Sequence, residues 1–289
     1  MATMRQIRSR IRVAKNIQQI TKAMKMVAAA RLKRAQDRVQ SARPYSQKMR
    51  EVMASLADAA AGAVEHPLLA RREVAHTGIL LITADRGLAG SYNAAVIRRA
   101  VELVNQFDPL TVRLYIVGRK GNAFFRKRGY NVVDTPQVNS NAFEFGDALA
   151  VARAVRQAFE TAEIDELYVV YTKFFSPLTQ RPTVMKLLPI ETEAVEERGG
   201  AIATDYLFEP EPARLLGELL PRYVVTQVYQ ALLESVASEH GARMTSMSSA
   251  TDNAGKMIST LTLSLNRARQ AGITKEISEI VGGAEALKG

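Results

Sequence analysis

The chain has 289 residues, 47% hydrophobic and 24% charged, with no Cys and three His (His66, His76, His240). That balance excludes a wholly disordered chain, a disulfide framework and thiolate metal or redox chemistry, and it leaves too few soft ligands for a zinc site. The formal net charge of +10 is unevenly placed, because residues 1–50 carry 14 Lys and Arg against Asp37 alone while the remainder holds 25 basic and 28 acidic groups.

So basic a block points to an anionic partner, either an acidic protein, a membrane surface or nucleic acid. An organellar leader is also basic and acid-poor, but leaders are short and Ser-rich, whereas this pattern continues for about 60 residues. No run approaches the roughly 20 apolar residues of a membrane-spanning helix.

In residues 1–61 apolar side chains recur at steps of four and three, first at Ile7, Ile11 and Ala14, then at Val13, Ile17, Ile20, Met24 and Val27, then at Ala28, Leu32, Ala35, Val39 and Ala42. The shifting register predicts a long helix in a gently twisted pair rather than one strict heptad seam. Pro44 is expected to bend or weaken it. A helix of about 55 residues would be roughly 80 Å long. No aromatic residue precedes Tyr45 and the charges ring the helix, which disfavours nucleic acid and leaves a solvated face or an acidic protein surface.

Residues 74–207 have a different texture. Gly78–Ala84, Val112–Val117, Tyr130–Val133 and Glu166–Phe174 read as strands, and Ser91–Gln106, Asn122–Arg128 and Asp147–Ala162 as the helices between them. That alternation predicts a parallel, doubly wound sheet. Thr183–Leu188 reads as a last strand, joined through the turn-rich 176–182 segment in an antiparallel edge hairpin. Residues 211–289 return to helical spacing, with Val224, Val228, Leu232 and Val236, then Ile258, Leu261, Leu265 and Ala268, then Ile273, Ile277, Ile280, Ala284 and Leu287. Neither terminal helix has an apolar face wide enough for burial in a globule, so each is expected to need the other. The expected fold is α+α/β, a long antiparallel coiled coil of N- and C-terminal helices plus a Rossmann-like α/β domain.

Catalytic motifs are missing from that domain. Gly87-Leu-Ala-Gly90 lacks the G-x-G-x-x-G spacing that brings a pyrophosphate to a helix N-terminus, and Gly118-Arg-Lys-Gly121 is too short for a phosphate-cradling loop; it reads as a turn closing a strand. Asp85-Arg86 reads as a salt-bridged turn. There is no nucleophile elbow, and His240 lies inside a predicted helix with no acid placed to orient it, as a structural residue. Met24, Met26, Met244, Met247 and Met257 read as adaptable packing residues.

Ile7-Arg-Ser-Arg-Ile11, Ile20-Thr-Lys-Ala-Met-Lys-Met-Val-Ala-Ala-Ala30 and Arg34-Ala-Gln-Asp-Arg38 near the start, and Ala237-Ser-Glu-His-Gly-Ala-Arg-Met244, Ala250-Thr-Asp-Asn-Ala254, Asn266-Arg-Ala-Arg-Gln-Ala271 and 273–284 near the end, together resemble the gamma subunits of bacterial F-type ATP synthases. The middle domain matches at Asp85-Arg-Gly-Leu-Ala-Gly90, where Ala89 replaces a Cys often seen in the family.

The resemblance implies a rotor shaft with no catalytic residues, cofactor or metal of its own. Its expected partners are the alpha and beta subunits of an alpha3-beta3 ring, the epsilon subunit and the membrane c-ring, and its expected location is the cytoplasmic face of the bacterial cell membrane, attached peripherally. It also implies contact or coupling roles for Lys22, Met24, Lys25, Arg243, Arg269, Gln270, Thr274 and Glu276, with Ala284 and Leu287 in a bearing tip. A nucleotide-dependent enzyme with helical arms is the alternative.

Overall fold

The computed structural model describes residues 3–60, 66–136, 138, 143–190 and 211–286. In chain order the elements are α1 (Met4–Ala60), β1 (Thr77–Ile82), α2 (Tyr92–Val104), β2 (Val112–Val117), α3 (Arg119–Arg126), β3 (Val132–Val133), α4 (Phe145–Glu160), β4 (Glu166–Ser176), β5 (Thr179–Leu188) and α5 (Pro212–Ala286), with a 3-10 turn at Pro67–Leu69. Contacts group the chain into two units, one of residues 1–28 with 244–289 and one of residues 29–243, and both long helices contribute to each. Among the described residues no helix is long and apolar enough to cross a membrane.

The larger unit is built on a five-stranded sheet in the order β3-β2-β1-β4-β5. β1 pairs in parallel with β2 and with β4, β2 in parallel with β3, and β5 runs antiparallel to β4. This is the expected doubly wound sheet with an antiparallel edge hairpin. β1 is buried along its whole length, as a strand covered on both faces must be. Ile79 and Leu81 pack with Val96, Ala100 and Val104 of α2, while Leu80 and Ile82 point to the opposite face by strand alternation.

Several boundaries differ from those expected, each for a tertiary reason. α3 starts at Arg119 rather than Asn122 because its first turn is capped from the end of β1. The Asp85 carboxylate accepts the Arg119 N–H at 3.0 Å, the Ala84 carbonyl accepts the Lys120 N–H at 3.1 Å, and the Thr83 hydroxyl accepts the Gly121 N–H at 3.0 Å. α4 starts at Phe145 rather than Asp147, with Asp147 Oδ2 accepting the Glu144 N–H at 2.8 Å, a reciprocal cap that spans three residues. β5 extends back to Thr179 and takes in Pro182, opposite Thr172, which an edge strand tolerates. Pro44 does not end α1; its position is exposed, so the carbonyl one turn back faces water.

α5 departs further from expectation. From Val224 to Gly241 it is buried on nearly all sides, including Gln227, Glu234, Ser235, Ser238, Glu239 and His240. Glu234, Ser235, Ser238, Glu239 and His240 find polar partners inside the unit, while the Gln227 side-chain nitrogen is buried without one, so burial does not require an apolar surface all round.

In the smaller unit the ends of α1 and α5 form an antiparallel pair. Lys25 Nζ donates to Ser248 Oγ at 3.0 Å and the Thr251 hydroxyl donates to Thr21 Oγ1 at 2.8 Å. A Cβ on Gly255 would come within 3.0 Å of Gln18 Nε2. The covered positions of α1 are Ile7, Ile11, Ala14, Gln18, Thr21, Met24 and Ala28, and the row continues in the larger unit through Leu32, Ala35, Val39, Ala42, Ser46, Met49, Met53 and Leu56. This is one seam of four- and three-residue steps whose alternation shifts once around Met24, where the apolar residues alone suggested separate runs. Of the other candidate stripe, Val13, Ile17, Ile20 and Val27 are about half exposed and Met24 is partly buried.

Candidate functional site

The C-terminal ends of the strands are where an open α/β sheet binds its ligands, at the point where strand order reverses. Here that point lies between β1 and β4, and it is filled. α5 brings Leu232, Ser235, Val236 and Glu239 against Ile82, Thr83, Tyr92, Val117, Val138 and Phe143, leaving a cavity of about 10 Å³, far below the hundreds of Å³ a nucleotide needs. The first N–H groups of α3 are already bonded to Asp85, Ala84 and Thr83, so no anion cradle remains there. Asp85 also lies 3.8 Å from the Arg119 guanidinium, as the salt-bridged-turn reading expects. Among the described residues no group of three or more His, Cys, Asp or Glu is placed to hold a metal.

Occupying this crevice is what fastens α5 to the sheet. β4 runs on past the end of β1, so the backbone of Thr172 and Phe174 needs other partners. The Thr172 N–H donates to Ser235 Oγ at 3.4 Å, the Ser238 hydroxyl donates to the Thr172 carbonyl at 3.1 Å, and the Phe174 N–H donates to Glu234 Oε2 at 3.4 Å. Gln230 Nε2 donates to the other Glu234 oxygen at 2.9 Å. One turn further on, Arg243 forms a buried ion pair with Glu239 at 2.6 Å, their side chains 11% and 4% exposed. Its guanidinium also donates to the Gly87 carbonyl at 3.2 Å.

Burial raises the Glu239 carboxyl above its usual range, and Arg243 opposes that rise. Burial raises the Tyr92 hydroxyl as well, with Glu239 adding to the effect. His240 moves the other way, to about 4, because burial and then the Arg243 and Arg31 charges disfavour its cation. Arg243 Nη1 donates to His240 Nδ1 at 3.3 Å, which requires an unprotonated nitrogen there. His240 is therefore the structural residue expected from sequence.

A depressed histidine contributes stability above its ordinary value near 6.5 that is lost as pH falls toward about 4, on the order of 3 kcal/mol for a shift of this size. Acid titration of urea unfolding checks this. The midpoint of the natural chain falls over that window, and His240→Gln, which cannot charge beside Arg243, Arg31 and Glu239, flattens that part of the fall. Equal slopes would contradict it.

These features describe a chain with an open sheet whose strand-end crevice is filled, and two long helices. The ATP synthase family model matches residues 3–287, and the ATP synthase gamma chain of Desulforamulus reducens is 49% identical over 288 residues, covering 100% of both chains. The chain belongs to the ATP synthase gamma-chain family. A chain in the central stalk/c-ring structure of Tetrahymena thermophila mitochondrial ATP synthase is 27% identical, with a TM-score of 0.59 over 80% of this chain and 99% of that one. The fold is shared with a chain of the Euglena gracilis mitochondrial ATP synthase OSCP/F1/c-ring assembly, at 19% identity and a TM-score of 0.69 over 98% and 94% of the two chains.

The residues marked out by the gamma-family resemblance fall into three places. Lys22 and Lys25 are exposed and Met24 is half-buried on α1, with Lys25 bonded to Ser248. Arg269, Gln270, Thr274 and Glu276 are exposed on α5. The antiparallel pairing sets 21–25 level with 248–251, so about 20 residues of helix, roughly 30 Å, separate these two groups. Arg243 belongs to the larger unit and is engaged internally. Ala284 lies in α5 with its side chain outside the described residues, as is the whole of Leu287. The residues that sequence reasoning missed in this gamma-family chain are the fasteners Tyr92, Glu234, Ser235, Ser238 and Glu239. The four-residue spacing of Glu239 and Arg243 was the one available signal.

Proposed function

We propose that this chain is the central-stalk rotor of an F-type ATP synthase, with two long helices, 1–61 and 211–289, as its shaft and the α/β domain 74–207 as its foot. In this reading the shaft turns inside the alpha3-beta3 ring, and the foot joins the epsilon subunit and the membrane c-ring. Proton flow drives rotation, and the lopsided shaft surface biases each beta site in turn, a coupling free energy between distant sites. The chain itself makes and breaks no bonds. It lies on the cytoplasmic face of a bacterial membrane, held there through the complex.

The observation that carries this reading is the pairing in the smaller unit. It covers one seam of each helix and leaves apolar residues exposed among the described residues. α1 begins level with about residue 270 of α5, and beyond it Ile273, Ile277 and Ile280 are 50%, 56% and 71% exposed. A surrounding ring supplies the missing contacts, and apolar contacts, which have no direction, let a shaft slide where hydrogen bonds would have to break at each step. Ala284 and Leu287 would continue that apolar tip. Arg269, Gln270, Thr274 and Glu276 would meet the ring just before it, and Lys22, Met24 and Lys25 would face acidic beta loops. The filled crevice at the strand ends works against the nucleotide-dependent enzyme.

Co-purification tests the assembly. One copy of this chain is expected with three alpha and three beta chains, and a stable homogeneous assembly without them would contradict it. Calorimetric titration of the isolated chain with ATP and NAD should show no binding. Met24→Lys places a further cation against the beta loop and biases the shaft toward one angle. Protons pumped per ATP should fall by about fivefold, the low end of a coupling free energy, and undiminished pumping would remove Met24 from the contact.

A further inference from the structure

β4 is held beyond the end of β1 from both helices. Ser235 and Ser238 of α5 take the N–H and the carbonyl of Thr172, and Glu234 takes the N–H of Phe174. Arg43 of α1 donates from Nη2 to the Phe174 carbonyl at 3.5 Å. Four backbone groups on two residues of one strand are thus bonded to side chains of the two shaft helices. Serine and glutamate are poor choices for burial, yet Ser235, Ser238 and Glu234 are all at most 5% exposed. Small apolar residues would fill the same space without desolvating polar groups.

We infer that Glu234, Ser235 and Ser238 are positioning residues that carry torque between the sheet of the foot and the helices of the shaft. The inference rests on the rotor reading and adds the load path to it. Apolar packing resists separation but resists sliding weakly, whereas a hydrogen bond loses its energy as soon as donor and acceptor move out of line. A twisting load applied to the sheet is therefore resisted chiefly where directional bonds join it to the helices. Glu239 and Arg243, one turn further along α5, hold the β1–α2 turn through the Gly87 carbonyl and keep α5 from rolling about its own axis at the grip.

The test uses the assembled complex in inverted membrane vesicles, with ATP hydrolysis and proton uptake followed while an uncoupler sets the opposing gradient. Ser235→Ala with Ser238→Ala should hydrolyse ATP at the natural rate with no gradient. Pumping per ATP should then fall by about fivefold as the gradient builds, the low end for two lost hydrogen bonds, while the natural complex holds its ratio. Ile79→Val, a core change on the other face of the sheet, is the control for lost stability and should hold its ratio at every gradient. A flat ratio in the serine variant, or an equally steep fall in the Ile79→Val control, would overturn the inference. Should the double variant not assemble, Ser238→Ala alone, which deletes one hydroxyl, must still show a gradient-dependent fall, and a flat response there also overturns it. Failure of the natural chain to restore pumping to membranes lacking their gamma subunit would instead strike the rotor reading.

Discussion

Arg243→Ala is expected to lower the stability of the 29–243 unit by about 3–5 kcal/mol, the range for leaving one partner of a buried ion pair uncompensated. Glu239 has a side chain 4% exposed and its ion pair with Arg243, so without the guanidinium its charge must be held in a buried site with only Arg31 in its favour and Asp85 against it, or neutralised by a proton. The Gly87 carbonyl loses its donor as well. The loss should depend on pH in a definite direction. Glu239 already titrates above its usual range, and removing Arg243 moves it higher still. A carboxyl raised on folding stabilises the fold below its unfolded value and withdraws that stability as pH rises through the folded value. The deficit of the variant is therefore largest near neutrality and shrinks on acidification. Replacing both residues, Glu239→Leu with Arg243→Met, should recover most of the loss, because an apolar pair of similar volume is often no worse than a buried ion pair. Urea unfolding of the natural chain and the two variants at several pH values checks each part. A deficit below about 1 kcal/mol at neutral pH, the level of an exposed pair, would show that Glu239 is hydrated.

The second large effect is expected at Gly118. It links β2 to α3 with φ +95, and a Cβ there would lie 2.1 Å from the Thr83 carbonyl oxygen and 2.7 Å from Thr83 Oγ1. Neither neighbour has room to give. Thr83 N–H donates to the Val117 carbonyl at 2.9 Å, and its hydroxyl accepts the Gly121 N–H at 3.0 Å. Gly118→Ala thus combines a backbone conformation worth about 1–3 kcal/mol of strain with overpacking worth a similar amount, for a total of about 4 kcal/mol. Gly129→Ala is the control, because it also has positive φ, +76, but open space around it. Only the strain contribution should appear there. Thermal unfolding of the two variants separates the contributions, and equal losses would mean that the β2–α3 junction can shift to admit a side chain.

Much of the architecture was legible because its signals are local. β1, β2 and β4 are short apolar runs closed by turns, and their order follows from alternation with helices. What stayed hidden depends on residues far apart in sequence. The start of α3 depends on Thr83, Ala84 and Asp85, more than thirty residues upstream, so Arg119 carries no visible cap of its own. The seam of α1 passes through Gln18, Thr21 and Ser46, so counting apolar residues led to Val13, Ile17 and Ile20, which face outward instead. α5 hides its burial similarly, since Glu234, Ser235, Ser238, Glu239 and His240 look like a solvated face until their partners on β4, α2 and α1 are known. The contact roles proposed for exposed residues such as Lys22, Arg269 and Glu276 were reachable only through family resemblance, because a face proposed to meet another chain leaves no partner in its own sequence to read.

The central claim is that the beginning and end of the chain turn together as one body. Thr21 and Thr251 bring their hydroxyl oxygens to 2.8 Å, close enough for Thr21→Cys with Thr251→Cys to bridge in a chain with no other Cys. The measurement is ATP-driven rotation of a marker on the foot of an immobilised alpha3-beta3 assembly, before and after oxidation. A bridge that forms readily and leaves rotation at full speed is the predicted result. A bridge that stops rotation until it is reduced, or a pair that never bridges in the assembled complex, would contradict it.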